Sequence, residues 1–266
     1  MAYDGIFPEL WGDIAFQEYL ATADIANLCN RSYDGTISRK GDTVHVHHFD
    51  PASLTIQANW ESGNADTDFG DVKTISITED PAINVEIMDI DRLRTNADLM
   101  RETATSMARA LANHTDSRII ATVSGTASIP TAVANTYDTL VDAVSVLTAE
   151  GVPRSDLWYA ASSASYSGLL KDDDVNRAQN SGSNDQVVSG EVRRIAGVNV
   201  FEQSVVPHGG VLFHRPSLAF VSQQQVNFQA DNMLGGQKKF GTVLGAGLLF
   251  GVGVLSLKGC AHITDS

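Results

Sequence analysis

GDTVHVHHFD (41–50), SLTIQANWESGNADTDFGDVKTISITEDPAINVEIMDIDRL (53–93) and DLMRETATSMARALANHTDSRIIATV (98–123) follow one another almost without interruption. Read together they decide the fold. Gly41 to His47 alternates polar and apolar residues, the period of a half-buried strand. The next stretch holds too few apolar residues for a core of its own. Asn64, Gly63 and Gly70 supply turn signals near its middle, and Thr74-Ile75-Ser76-Ile77-Thr78 returns with strand alternation. The spacing predicts a hairpin over 50–91, whose limbs of roughly 15 residues would each reach about 50 Å at the rise of a strand. A hairpin that cannot bury itself must lie on something else, which points to an assembling subunit rather than a self-contained enzyme.

A long helix is predicted directly after it, over 96–124. Thr95 and Asp98 resemble a capping box, with Asp in the place usual for Glu or Gln. Met100, Ala104, Met107, Leu111, Arg118 and Ile119 recur at helical steps, and Gly125 ends the run. Alanines at 104, 108, 110 and 112 permit close packing against a sheet. A second helix is predicted over 136–150, stopped by Gly151 and Pro153. Leu157 to Ala161 reads as a buried strand, with a short helix around 164–170 and a polar loop over 171–190. Residues 192–200 read as a strand–turn–strand pivoting on Gly197, and 213–220 and 240–263 are β-rich. The class is α+β. Residues 1–40 read as an arm with one short amphipathic helix through Ile14, Phe16, Tyr19, Leu20 and Ile25, and no compact unit.

With 266 residues, 43% of them hydrophobic and 19% charged, the chain is long enough to bury a sizeable core and lies far from the disordered class. Its formal charge of −14 argues against a nucleic-acid binder, which needs a basic surface. It is compatible with a wall beside packed DNA, since like charges keep the two apart over a short screening length. From Asp50 to Asp91 ten acidic residues stand against one base, Lys73, a local charge of −9. Cys29 and Cys260 lie at opposite ends of the chain and read as two reduced, buried thiols. MAYDGIFPELWGDIAF lacks the basic and apolar regions of a signal peptide, and Val243–Leu257 is short and broken by glycines. The expectation is a cytoplasmically made protein with no membrane segment.

The motifs that could carry chemistry have plainer explanations. His45 and His47 would share a strand face and could begin a zinc or copper site, yet no third ligand stands nearby and alternation with Val44 and Val46 explains them. Gly245-Ala246-Gly247 with Gly251 has the wrong spacing and context for a dinucleotide fingerprint. Glycines in a strand more often mark a bulge or a close backbone approach. Asp172, Asp173 and Asp174 read as a solvated loop. Asn30-Arg31-Ser32 and Asn113-His114-Thr115 match the glycosylation sequon, which carries no meaning without a secretory signal. No nucleophile elbow, P-loop or HExxH motif is present, so neither catalysis nor a cofactor is expected.

The order of pieces resembles the major capsid proteins of tailed bacteriophages with the HK97 fold. The resemblance rests on GDTVHV (41–46), the acidic hairpin, DIDRLRTNADLMRETATSMARALANHTDSRII (89–120), WYAASSASYSGLLKD (158–172), GEVRRIAGVNVFEQSVVP (190–207), HRPSLAFV (214–221) and LLFGVGVLSLKG (248–259). It covers nearly the whole chain, and order and spacing carry it rather than any single motif. It implies an N-terminal arm (1–40), an extended E-loop hairpin with flanking peripheral-domain strands (41–94) and a spine helix of the peripheral domain (95–124). An axial domain (125–225) and a C-terminal β segment returning to the peripheral and axial sheets (226–266) complete the implied order. It further implies self-assembly into hexamers and pentamers of an icosahedral head around double-stranded DNA. A separate scaffolding protein, a portal and a decoration protein are the implied partners. The implied location is the virion, with assembly in the host cytoplasm. For the intersubunit contact, Trp60, Glu61, Asp66, Asp68 and Phe69 of the hairpin would meet Arg92, Arg94, Arg101, Arg109 and Arg118 around the helix, or Lys238 and Lys239. Two other readings stay open: an encapsulin-type nanocompartment shell and, more remotely, a soluble α+β hydrolase.

Overall fold

The long helix owes its place to one stripe of small and apolar residues. In a computed structural model of the chain, which describes residues 6–33, 43–48, 71–88, 99–126, 137–172, 194–206, 209–232 and 241–263, a helix spans Leu99–Thr126. Its 28 residues run about 42 Å at 1.5 Å each. Ala104, Met107, Ala108, Leu111, Ala112, Thr115, Asp116, Ile119, Ile120 and Val123 are buried along one side at alternating three- and one-residue steps. The hydroxyls of Thr103, Thr115 and Thr122 donate back to the carbonyls of Leu99, Leu111 and Arg118, so these β-branched residues need no outside partner. The helix is as expected; its cap, Thr95 and Asp98, lies outside the described residues.

Two helices precede it in the chain, α1 (Ile6–Thr22) and α2 (Asp24–Leu28), which makes the long helix α3. They correct the expectation of an arm without a compact unit. Ala15, Tyr19, Ala23, Ile25, Ala26 and Cys29 are buried in the same cluster as the stripe of α3. Asn30 then bridges the strand beyond: its N–H donates to the Leu218 carbonyl (2.8 Å), and its carbonyl accepts from Phe220 (3.1 Å). The physical reason is geometric. A helix lying on a sheet still offers flanks, and the apolar faces of α1 and α2 cover one. The single helix expected through Ile25 is broken at Ala23, whose ψ of 82° is not helical.

The strands, numbered in chain order, are β1 (Thr43–His48), β2 (Asp71–Ser76), β3 (Ala82–Met88), β4 (Leu157–Ala161), β5 (Arg194–Ile195), β6 (Val198–Glu202), β7 (Gly210–His214), β8 (Leu218–Asn232), β9 (Gly241–Val254) and β10 (Cys260–Ile263). They form three sheets. β1 and β2 pair antiparallel by themselves; β3, β9 and β8 form an antiparallel sheet in that order; β10-β7-β4-β6-β5 is mixed, with β4 and β6 parallel. β3 corrects the expected extent of the hairpin. The acidic excursion does not run unbroken to residue 91, because Ala82–Met88 has left it and pairs with Gly241–Gly247. The alternating Ile83, Val85 and Ile87 put the apolar side of β3 toward α3 and the core. Similarly, the boundary expected at 225/226 falls inside the continuous strand β8.

The five-stranded sheet is buried on both faces, as a parallel pair with a helical crossover requires. One face gives Ala160, Val211, Phe213 and Cys260 to the cluster under α3. The other is covered by α4 (Tyr137–Ala149) and α5 (Ser163–Lys171), where Leu140, Val144, Leu147 and Leu169 meet Tyr159, Val200, Leu212 and Ile263. Ser162 caps α5, its hydroxyl accepting from the Ser165 N–H at 3.3 Å. Between β5 and β6, Ala196 (φ 51°) and Gly197 (φ 88°) make the two-residue turn with both central residues left-handed, on the glycine that the sequence marks.

α4 ends on the expected Gly151, and the chemistry is specific. With φ at 87°, Gly151 donates to the Thr148 carbonyl (3.0 Å) and Val152 donates to the Leu147 carbonyl (3.1 Å), the paired bonds of a Schellman motif. A Cβ would meet nothing there within 4 Å, so the obstacle to a side chain is backbone conformation alone. Gly151→Ala should therefore cost about 1–2 kcal/mol. Chemical denaturation measures it, and an unchanged midpoint would show that the left-handed residue is not what stops α4.

Candidate functional site

The base of the acidic hairpin is the part of that segment that the structure describes, and it is fixed from two sides. β1 and β2 align Thr43 with Ser76 through His48 with Asp71. Val46, Ile75 and Ile77 are buried beneath them against Ala219 and Val221 of β8 and Leu255 just past β9. On the opposite, exposed face His45 and His47 stand side by side, and His45 Nδ1 shares a hydrogen bond with the Thr74 hydroxyl directly across the ladder (3.1 Å). Among the described residues no group of three histidine, cysteine or carboxylate side chains gathers as a metal site.

The second fixing point is the glycine-rich strand. A Cβ on Gly251 would stand 2.6 Å from the Ser76 carbonyl oxygen, and one on Gly253 would stand 2.7 Å from Ile75 Cγ1. β2 thus lies directly on the backbone of β9, the close approach that glycines in a strand permit. Just past β2 the Glu79 N–H and carbonyl exchange bonds with Phe250 (3.2 and 3.1 Å), and the Glu79 carboxylate is paired with Arg118 of α3. Hairpin, sheet and long helix meet at this one residue.

Of the predicted contact residues, Trp60, Glu61, Asp66, Asp68, Phe69, Arg92, Arg94, Lys238 and Lys239 lie outside the described residues. The remaining three stand on α3. Arg101 is exposed near its start. Arg109 donates to Glu18 of α1 at 2.6 Å, and Arg118 donates to Glu79, so both have partners within their own chain. With the arginine side chains 61% and 48% exposed, such pairs are worth about 0–1 kcal/mol each and serve register more than stability.

Sequence reasoning missed Glu79 as a hub, since it counted that residue among the hairpin acids. It also missed Asp116. A carboxylate within the buried stripe of α3, four residues from Ala112 and from Ile120, was the available signal.

No family model matches the chain, and no curated protein matches it by sequence. Solved structures do resemble it. A chain of Mycobacterium phage Che8 is 22% identical with a TM-score of 0.74, covering 91% of this chain and 90% of that one. In the capsid structure of cyanophage P-SCSP1u the values are 17% and 0.69, over 90% of this chain and 86% of that one. The virus-like particle from Pyrococcus furiosus gives 13% and 0.66, over 97% and 99%. The chain therefore has the fold of phage capsid proteins, the HK97-type fold that the order of its sequence elements resembles. Among the described residues no helix is long and apolar enough to cross a membrane.

Proposed function

We propose that this chain is a major capsid protein whose copies assemble as hexamers and pentamers into an icosahedral phage head around double-stranded DNA. The observation that carries the reading is the fold shared with phage capsid chains over about nine-tenths of both partners. In this reading β1 and β2 are the base of the E-loop, α3 is the spine helix, and the three- and five-stranded sheets centre the peripheral and axial domains. The role is structural, with no reaction assigned to it. A scaffolding protein, a portal and a decoration protein are its proposed partners, and the assembled virion its location.

The contact between copies is read as electrostatic in register and apolar in anchoring. Glu61, Asp66 and Asp68, with Trp60 and Phe69 as anchors, would lie across a neighbour near Arg92, Arg94 and Arg101. Arg109 and Arg118 would join only by sharing their guanidinium groups with a second carboxylate, since Glu18 and Glu79 already hold them. The test is assembly. The full chain, co-expressed with its scaffold, is expected to give megadalton shells by size exclusion and negative-stain microscopy; a stable monomer or dimer would sink the proposal. Changing Glu61, Asp66 and Asp68 together to lysine should leave folded, soluble subunits that no longer form shells. Normal shells from that variant would remove the electrostatic role while leaving the capsid reading intact. DNA within the particles distinguishes a phage head from a nanocompartment shell.

A further inference from the structure

Asp116 is fully buried in α3, and its carboxylate ties together three segments far apart in the chain. Oδ1 accepts the N–H of Ala26 in α2 at 3.1 Å, with the N–H groups of Asp24 and Ile25 also directed at the carboxylate. Oδ2 accepts from Gln203 Nε2 at 3.0 Å. Gln203 is itself buried, and its backbone N–H donates to the carbonyl of Ala161, the last residue of β4. So one side chain links the N-terminal helices, the long helix and the five-stranded sheet. A purely structural tie would be served as well by a neutral amide. An acid at this position brings a charge into the interior, which is costly without a full countercharge.

We propose that Asp116 is a proton-operated joint between the N-terminal helices and the five-stranded sheet, closed most firmly when the carboxyl is neutral and loosened as it ionises. The groups facing it set the direction. From α2, Asp24 adds like charge and is itself partly buried; Cys29, at the end of α2, is a buried thiol that Asp116 and Cys260 of β10 help to hold protonated. From the sheet side the partner is the neutral amide of Gln203. On α3, Arg109 and Arg118 are turned to Glu18 and Glu79. Burial pushes the Asp116 carboxyl from 3.8 up to about 7, outweighing the pull of the N–H donors.

Opening the joint returns the carboxyl to water and to its ordinary value. A group raised in the closed state contributes fully below that ordinary value, and its contribution is lost as pH rises through about 7. Between the two values opening should grow up to about tenfold per pH unit.

The test is hydrogen exchange of the full chain, expressed as protection factors so that the intrinsic pH dependence of exchange cancels. Protection of residues 24–29 and 203–206 is expected to fall on the order of a hundredfold from pH 5 to pH 7 and then to level off. In Asp116→Asn it should stay flat. Gln203→Met keeps the acid but removes a donor to its charged form, so it should move the midpoint to higher pH, and it decides the matter if Asp116→Asn fails to fold. Flat protection in the unmodified chain, a retained slope in Asp116→Asn, or an unmoved midpoint in Gln203→Met would each overturn the proposal. It stands independently of the capsid reading.

Discussion

Phe250→Ala is expected to cost about 3–5 kcal/mol. Phe250 is fully buried in β9, with its ring 5.6 Å from that of Phe220 across the β8–β9 ladder, so truncation forfeits both the transfer of the ring from water and an aromatic pair. The cavity would open inside the cluster that joins α1, α2, α3 and the three-stranded sheet. At roughly 2–4 °C per kcal/mol for a chain of this size, the midpoint of thermal unfolding should drop by about 10 °C. Phe250→Leu, which fills most of the volume, should cost about 1.5 kcal/mol or less. The site also reaches the hairpin, because the Phe250 backbone holds Glu79 in both directions and Glu79 holds Arg118. Hydrogen exchange over 75–80 should therefore rise in Phe250→Ala more than in Phe250→Leu. If both variants unfold together with the unmodified chain, this core does not hold the fold.

The elements were legible because each is announced by local chemistry. The alternation read over 41–47 falls on β1 and that over 74–78 overlaps the end of β2, while the stripe of α3, the glycine that stops α4 and the turn at Gly197 stand where the sequence puts them. What was not legible is which surface each buried face meets. Ile83, Val85 and Ile87 show that a strand has one apolar side, but their partner in the ladder, β9, lies far along the chain; charge counting therefore left β3 in the hairpin. The apolar residues of α1 and α2 reveal an amphipathic segment without saying that α3 has a flank to receive it. The same limit applies to the site. Arg109 and Arg118 were visible as bases on the long helix, but the partners they have in the chain, Glu18 and Glu79, are tertiary facts. The glycines of β9 were half-read: close approach was the stated meaning, and only the fold shows that it is β2 that approaches.

That approach gives a graded expectation within one strand. Gly251→Ala should cost about 1–3 kcal/mol, because the new Cβ would stand 2.6 Å from the Ser76 carbonyl oxygen and backbone cannot swing aside. Gly253→Ala should cost less, since its obstacle is the Ile75 side chain, which is buried but can rotate. Gly247→Ala is the control: its Cβ would make ordinary contacts at 3.7 and 3.9 Å, so stability should hold or rise by up to about 1 kcal/mol. Denaturation midpoints measure the order, and hydrogen exchange locates the damage. Gly251→Ala should expose the amides of 44–46 and 72–76 while leaving β8 and β9 paired. Equal midpoints for Gly251→Ala and Gly247→Ala would mean that contact with β9 does not fix the hairpin. The consequence extends to assembly. β1 ends and β2 begins at the paired His48 and Asp71, so the seat of β2 on β9 sets where and in which direction the acidic segment 49–70 is attached. If the hairpin makes the contact between copies, Gly251→Ala should impair shell formation more than its loss of stability accounts for, and Phe250→Leu, of comparable cost but inside the core, should impair it less.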